Sequence, residues 1–169
     1  MNTYKAILKR RSIRKYSKGE ISSEVIEMLL QAAMAAPSAR NAQPWEFYVV
    51  TNKEVMLNLR SVSKNLDFDS SAMIIVCGNN ERSITKNDND FWIQDCSAAV
   101  ENILLAATEL GLGTLWCGLY PVLERSDKVR EYISAPMNHI PMALIHIGHP
   151  DEEKEERTQY NENYVHYVK

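Results

Sequence analysis

Apolar residues at positions 4, 7 and 8 recur at helical spacing within Asn2-Thr3-Tyr4-Lys5-Ala6-Ile7-Leu8-Lys9-Arg10-Arg11, and this pattern predicts a short amphipathic helix capped by Thr3. Its last turn is basic, where the negative end of the helix dipole favours positive charge. Residues 12–21 keep no period and read as a connection. A second helix opens at Ser22-Ser23-Glu24 and carries Val25, Ile26, Leu29, Leu30 and Ala33 on its apolar side. Pro37 ends it, because the residue before a proline is pushed out of helical angles. The β-branched and aromatic run Glu46 to Thr51 predicts a strand, followed by a helix around Glu54 to Val62 and a second strand over Met73 to Cys77. Asn79 to Asp90 is polar and irregular, a surface loop with nothing apolar to bury.

From Phe91 to Leu110 the apolar positions Ile93, Ala99, Val100, Ile103, Leu104, Ala106, Ala107 and Leu110 cover more than one face. They predict a long, largely buried central helix stopped by Gly111. Thr114 to Cys117 reads as a third strand, Glu124 to Ile133 as a helix and Met142 to Ile147 as a fourth strand. No compositional break divides the chain, so residues 1–169 read as one domain. The segment from Asp151 is highly charged yet holds Tyr160, Tyr164, Val165, Tyr167 and Val168, which marks 151–169 as an arm that packs on something.

Composition narrows the class. Of 169 residues, 45% are hydrophobic and 24% charged, which is enough apolar chain to bury a core and excludes disordered or collagen-like proteins. The run Ala72 to Cys77 is far shorter than a membrane span and the first residues lack a secretory apolar segment, so the cytoplasm is the expected compartment. Cys77, Cys96 and Cys117 show neither metal nor redox spacing and are expected as reduced, mostly buried thiols.

Against a formal charge of −3, Arg10-Arg11-Ser12-Ile13-Arg14 sets three arginines and a hydroxyl in five residues. Lys5, Lys9, Lys15 and Lys18 flank it, and no acid precedes Glu20. Guanidinium forks match phosphate or carboxylate oxygens, so the stretch reads as an anion site or as a solvated basic end. The net negative charge argues against general nucleic-acid binding. Pro37-Ser38-Ala39-Arg40-Asn41-Ala42-Gln43-Pro44-Trp45 offers a hydroxyl and two carboxamides between prolines. Such groups read imide-like edges well, and they also satisfy the backbone of ordinary turns.

Gly111-Leu112-Gly113-Thr114-Leu115-Trp116 resembles the start of a dinucleotide fingerprint, but Trp116 fills the sixth position and the segment leaves a helix for a strand. The reversed context excludes a Rossmann site. The glycines read instead as a helix stop and a lead into Trp116-Cys117-Gly118, where bare backbone can approach a flat ligand. His139, His146, His149 and His166 show no metal spacing, and no metal site is expected. Cys117 reads as a nucleophile or, more commonly for a strand cysteine, as a buried thiol. The chain advertises binding groups rather than an acid, base or nucleophile, which points to chemistry carried by a cofactor.

Four blocks in order, R-R-S-I-R, P-S-A-R-N-A-Q-P-W, G-L-G-T-L-W-C-G-L and a late basic residue after I-G-H-P, resemble the FMN-dependent nitroreductase family across essentially the whole chain. The resemblance implies an α+β, nitroreductase-like fold with a central mixed β-sheet flanked by helices. It implies FMN at a homodimer interface, with both subunits contributing to each site and the 151–169 arm packing on the dimer partner. Arg10 and Ser12 match phosphate-holding positions, with Arg11 beside them, and Arg157 matches a late phosphate-binding cation. Arg14 matches a basic residue near the pyrimidine end of the flavin, where a fixed cation favours the charge left by reduction. Ser38, Asn41 and Gln43 match a polar turn lying against the flavin from the partner, and Trp116, Cys117, Gly118 and Leu119 match the backbone edge near N5.

The activity so implied is an oxidoreductase in which NADH or NADPH delivers hydride to FMN. A nitroaromatic, quinone or similar electron-poor small molecule then takes the electrons in a second step, with no dedicated general acid. The alternative is a flavin-binding protein without turnover, for storage or sensing. Neither nucleic acid nor membrane is an expected partner. The chain is short for the family, and the stretch Ser61 to Ser71 departs from the pattern of longer members, leaving Lys64 or Asn65 as candidates for further flavin contacts.

Overall fold

A computed structural model describes residues 2–84 and 91–169. In chain order these form α1 (Thr3–Lys9), β1 (Tyr16–Ser17), α2 (Ser23–Met34), β2 (Trp45–Val50), α3 (Lys53–Ser61), β3 (Ala72–Asn79), α4 (Phe91–Glu109), β4 (Gly113–Gly118), α5 (Leu123–Tyr132) and β5 (His139–Pro150). Short 3-10 turns lie at Ala39–Asn41, Lys64–Leu66 and Glu162–Tyr164. Every residue of β3 is buried, a continuous apolar run rather than an alternation, as a strand covered on both faces requires.

The longest strand, β5, organises the sheet. It runs antiparallel to β3 on one side (Ala72↔Ile147 to Asn79↔His139) and to β4 on the other (Gly113↔Gly148 to Gly118↔Ala143), and its last residues pair with β1. β2 closes the far side against β3. Among the described residues the sheet, expected to be mixed, is antiparallel through its named strands, with a parallel bridge between Ser12 and Thr114.

Side-chain alternation sorts two cores. Ile74, Val76, Ala143, Ile145 and Ile147 join Leu29 and Ala33 of α2 and Ala99, Val100, Ile103 and Ala107 of α4. Met73, Ile75, Cys77 and Leu144 join Met56 and Leu59 of α3, Leu66, and Val129 of α5. Each large aliphatic side chain removed from water contributes roughly 1.5–3 kcal/mol, so both faces need their helices. The long helix α4 lays Trp92, Cys96, Ala99, Val100, Ile103, Leu104 and Ala107 into the core, with Ile93, Ala98 and Ala106 half-buried on its flanks. It stops at Gly111, and the Leu112 N–H returns to the Ala107 carbonyl at 2.8 Å.

Some expectations shift. The cap of α1 is Asn2, not Thr3: Asn2 keeps extended angles and its Oδ1 accepts from the Lys5 N–H at 2.8 Å, whereas Thr3 is already helical. The connection over residues 12–21 contains β1. Of the loop expected over Asn79 to Asp90, residues 85–90 lie outside the described residues. The three cysteines are buried and unbridged. Among the described residues, no helix is long and apolar enough to cross a membrane.

Candidate functional site

After α1 the chain turns extended at Arg10 and runs beside β4, where the Ile13 N–H donates to the Thr114 carbonyl at 2.9 Å. Ile13 points inward and is buried, so its neighbours Ser12 and Arg14 turn outward, as alternation in an extended segment demands. Gly113 permits this close approach: a Cβ there would lie 2.8 Å from Ile13 Cγ2.

The C-terminal segment straps the same strip from outside. Glu152 Oε1 accepts the backbone N–H groups of Arg14 and Lys15, at 2.5 and 3.3 Å, and these bonds hold its carboxyl below the usual range. Lys154 pairs with Glu152 at 3.3 Å and donates to the Ser12 carbonyl, while Arg11 donates to the Glu155 carbonyl. The Arg157 N–H reaches the Leu8 carbonyl at 3.2 Å. Arg10, Arg11, Ser12, Arg14 and Arg157 are therefore brought together on one strip, with Lys154 added to them.

Two charges mark the ends of the strip. Arg10 Nε lies 3.5 Å from Glu101 Oε1 of α4, and burial pushes the Glu101 carboxyl up while Arg10 pulls it back. Arg14 stands near the end of β4, where its charge opposes the upward shifts that burial imposes on Cys117 and Tyr16. The Cys117 thiol is pushed up to about 11 and donates to the Asn65 carbonyl at 3.2 Å, so it is a buried thiol and not a nucleophile. That bond seats the 3-10 turn Lys64–Leu66 against β4, beside Arg14's end of the strip.

Trp116 alternates outward from β4 and is partly exposed. The Gly118 carbonyl accepts from Arg125 Nη1 at 2.9 Å, and a Cβ on Gly118 would meet nothing within 4 Å, so the strand ends at open space. Leu119 is turned inside: its side chain is buried, its N–H bonds the Met142 carbonyl, and its own carbonyl accepts the Val122 N–H.

The Ser38–Gln43 turn is built from unusual backbone. Arg40, Asn41 and Gln43 adopt φ of 51°, 55° and 47°, left-handed angles that non-glycine residues hold only when surroundings enforce them. Ser38 Oγ accepts the Gln43 N–H at 3.0 Å, Asn41 Oδ1 accepts from Gln43 Nε2 at 3.1 Å, and Asp95 Oδ1 of α4 accepts the Ala39 N–H at 2.9 Å. Asn41 and Gln43 remain exposed. Among the described residues, no hydrogen bond or ion pair joins this turn to the Arg10–Arg14 strip, so one chain presents two separate polar surfaces. A groove of about 520 Å³ on α5, lined by Glu124, Lys128, Arg130 and Met137, belongs to neither surface.

Sequence reasoning missed Glu152, Lys154, Arg125 and Asp95. The first two fall in a charged tail where a bonded and a solvated residue look alike. Asp95 did leave a signal, an acid within the stripe of α4 that runs through Trp92, Cys96 and Ala99. Among the described residues, no three His, Cys, Asp or Glu side chains gather as a metal would require.

Comparison with known proteins identifies the family. The sequence model of the Nitroreductase family matches residues 7–67 and 58–149. A protein of Archaeoglobus fulgidus designated an NADH dehydrogenase/NAD(P)H nitroreductase is 43% identical over 173 residues, covering 98% of this chain and 97% of its own. A solved structure from Parabacteroides distasonis with the same designation superposes with a TM-score of 0.90 at 34% identity, covering 98% of this chain and 96% of that one. A protein of Desulfovibrio desulfuricans described as a nitroreductase and solved in complex with FMN superposes with a TM-score of 0.85 at 26% identity, covering 99% and 98%.

Proposed function

The chain belongs to the nitroreductase family, and from that premise we propose that it binds FMN at a site shared by two copies and acts as an NAD(P)H-dependent oxidoreductase on nitroaromatics, quinones or similar electron-poor acceptors. The carrying observation is the pinning of Arg10–Arg14 along β4, with Arg14 beside Cys117 at the open Gly118 end. FMN has a phosphate at one end and a flat ring with an imide edge at the other, and the strip offers matching poles. Arg10, Arg11, Ser12, Lys154 and Arg157 suit the phosphate, while Arg14 and the bare Gly118 edge suit the ring. That the D. desulfuricans relative holds FMN supports the same fit.

FMN bound here would supply the redox chemistry between a nicotinamide donor and the acceptor. Arg14 holds positive charge at the ring end, where it stabilises negative charge as it develops. Ser38, Asn41 and Gln43 of the second copy supply a hydroxyl and two carboxamides to the ring, on backbone already fixed in its left-handed shape. Burial raises both Cys117 and Tyr16, which keeps these two groups protonated at neutral pH.

The arm supports a shared site. Tyr160, Tyr164, Tyr167 and Val168 are 73%, 81%, 83% and 98% exposed, an apolar edge that a second copy would cover. Three buried, unbridged thiols fit a reducing cytoplasm. Steady-state rates with NADH or NADPH and a quinone, each varied, test the reading. Parallel double-reciprocal lines are expected for a two-step exchange. A protein that holds FMN yet turns over no donor would be a flavin-binding protein and would overturn it.

A further inference from the structure

We propose that Asp95 is the positioning residue of the Ser38–Gln43 turn, setting through the Ala39 amide the orientation in which Ser38, Asn41 and Gln43 meet the flavin. The inference rests on the reading that this turn faces FMN. Asp95 is 6% exposed and sits in the apolar stripe of α4. Its Oδ1 accepts the Ala39 N–H at 2.9 Å, and its Oδ2 is buried without a hydrogen-bond partner among the described residues. An acid in such a place is costly to a fold, and an apolar residue of the same size would relieve that cost. The bond to Ala39 is what an apolar replacement would forfeit.

The turn needs an outside anchor. Three of its residues hold left-handed backbone, and Ser38, which precedes the 3-10 turn Ala39–Asn41, makes no side-chain cap because its Oγ is committed to the Gln43 N–H. Asp95 takes over the cap from another element, meeting the first N–H of the turn as a capping side chain would. At the far foot the Asn79 N–H donates to the Pro44 carbonyl at 2.6 Å, and Arg82 Nη2 donates to the next carbonyl, that of Trp45, at 2.8 Å. Asp95 is thus the side chain through which α4 fixes the tilt of the loop, and it frees Ser38 Oγ to close the turn.

The test titrates FMN into the full-length apoprotein by flavin fluorescence and records the visible circular dichroism of the bound flavin. Asp95→Ala is expected to weaken FMN binding about tenfold and to change the flavin dichroism, whereas Asp95→Asn, which keeps an oxygen acceptor, stays within about threefold. A residue that merely braces α4 would lower the melting temperature while leaving flavin affinity and dichroism alone. A folded Asp95→Ala protein with affinity within about twofold of the parent and unchanged dichroism overturns the proposal. Ala39→Pro removes the same N–H from the turn side, at a first helical position that tolerates proline, and carries the test if Asp95→Ala does not fold. Failure of the parent chain to take up FMN, seen before any variant is compared, overturns the functional reading and this inference with it.

Discussion

Arg10 and Arg14 carry the same charge in different surroundings, and the surroundings predict different losses. Arg10 is held by Glu101 at the α1 end, so Arg10→Ala is expected to raise the FMN dissociation constant at least about tenfold in equilibrium dialysis. An unchanged constant would contradict its phosphate role. Arg14 stands at the β4 end, so Arg14→Ala should make the bound flavin harder to reduce, lowering its two-electron potential by about 30 mV or more with phosphate anchoring largely kept. An unchanged potential would contradict that role. His146 offers a test of stability alone. It is fully buried on β5 with Nδ1 2.8 Å from Ser70 Oγ, and burial pulls its pKa down to about 4. The unfolded chain therefore takes the proton first, so stability present above about pH 6.5 is lost as pH falls toward 4, by up to about 3 kcal/mol. Urea denaturation at about pH 7.5 and pH 5 should show that loss, and His146→Asn should flatten it. Equal pH slopes for parent and variant would contradict the assignment.

At the level of elements, two glycines of β4 separate fold from site. Gly118→Ala adds a methyl where nothing lies within 4 Å, so apoprotein stability should move by no more than about 0.5 kcal/mol while FMN affinity falls. Gly113→Ala forces a Cβ to 2.8 Å from Ile13 and should cost about 1–3 kcal/mol as well as affinity, because the basic strip lifts from the strand. Denaturant melts and FMN titrations check both, and a Gly118→Ala protein that binds FMN like the parent would remove the ring from this edge. The helices and longer strands were readable in the sequence because their apolar periods are long: α4 and β3 follow directly from their runs. β1 was not, since Tyr16 and Ser17 pair with residues 149–150 by tertiary proximity and carry no run of their own. R-R-S-I-R announced an anion, but its line along β4 is set by the Ile13–Gly113 contact, which no local pattern encodes. The left-handed residues of the polar turn include Arg40 and Gln43, types that give no turn signature. The Glu152 and Lys154 strap hides in a tail whose charges look solvated.

For the whole molecule, the arm and the two polar surfaces make one prediction. Removing residues 158–169 strips the exposed tyrosines and should shift the protein toward monomer in sedimentation while releasing FMN in parallel. A truncated chain that stays dimeric and keeps its flavin would contradict the shared site. The proposed chemistry is exposed to its hardest test by colour, in the FMN-loaded full-length protein mixed anaerobically with a nicotinamide donor. The flavin absorption should bleach promptly with NADH or NADPH and return when a quinone or nitroaromatic is added; a flavin that stays oxidised with both donors would contradict the assignment of this chain as a reductase.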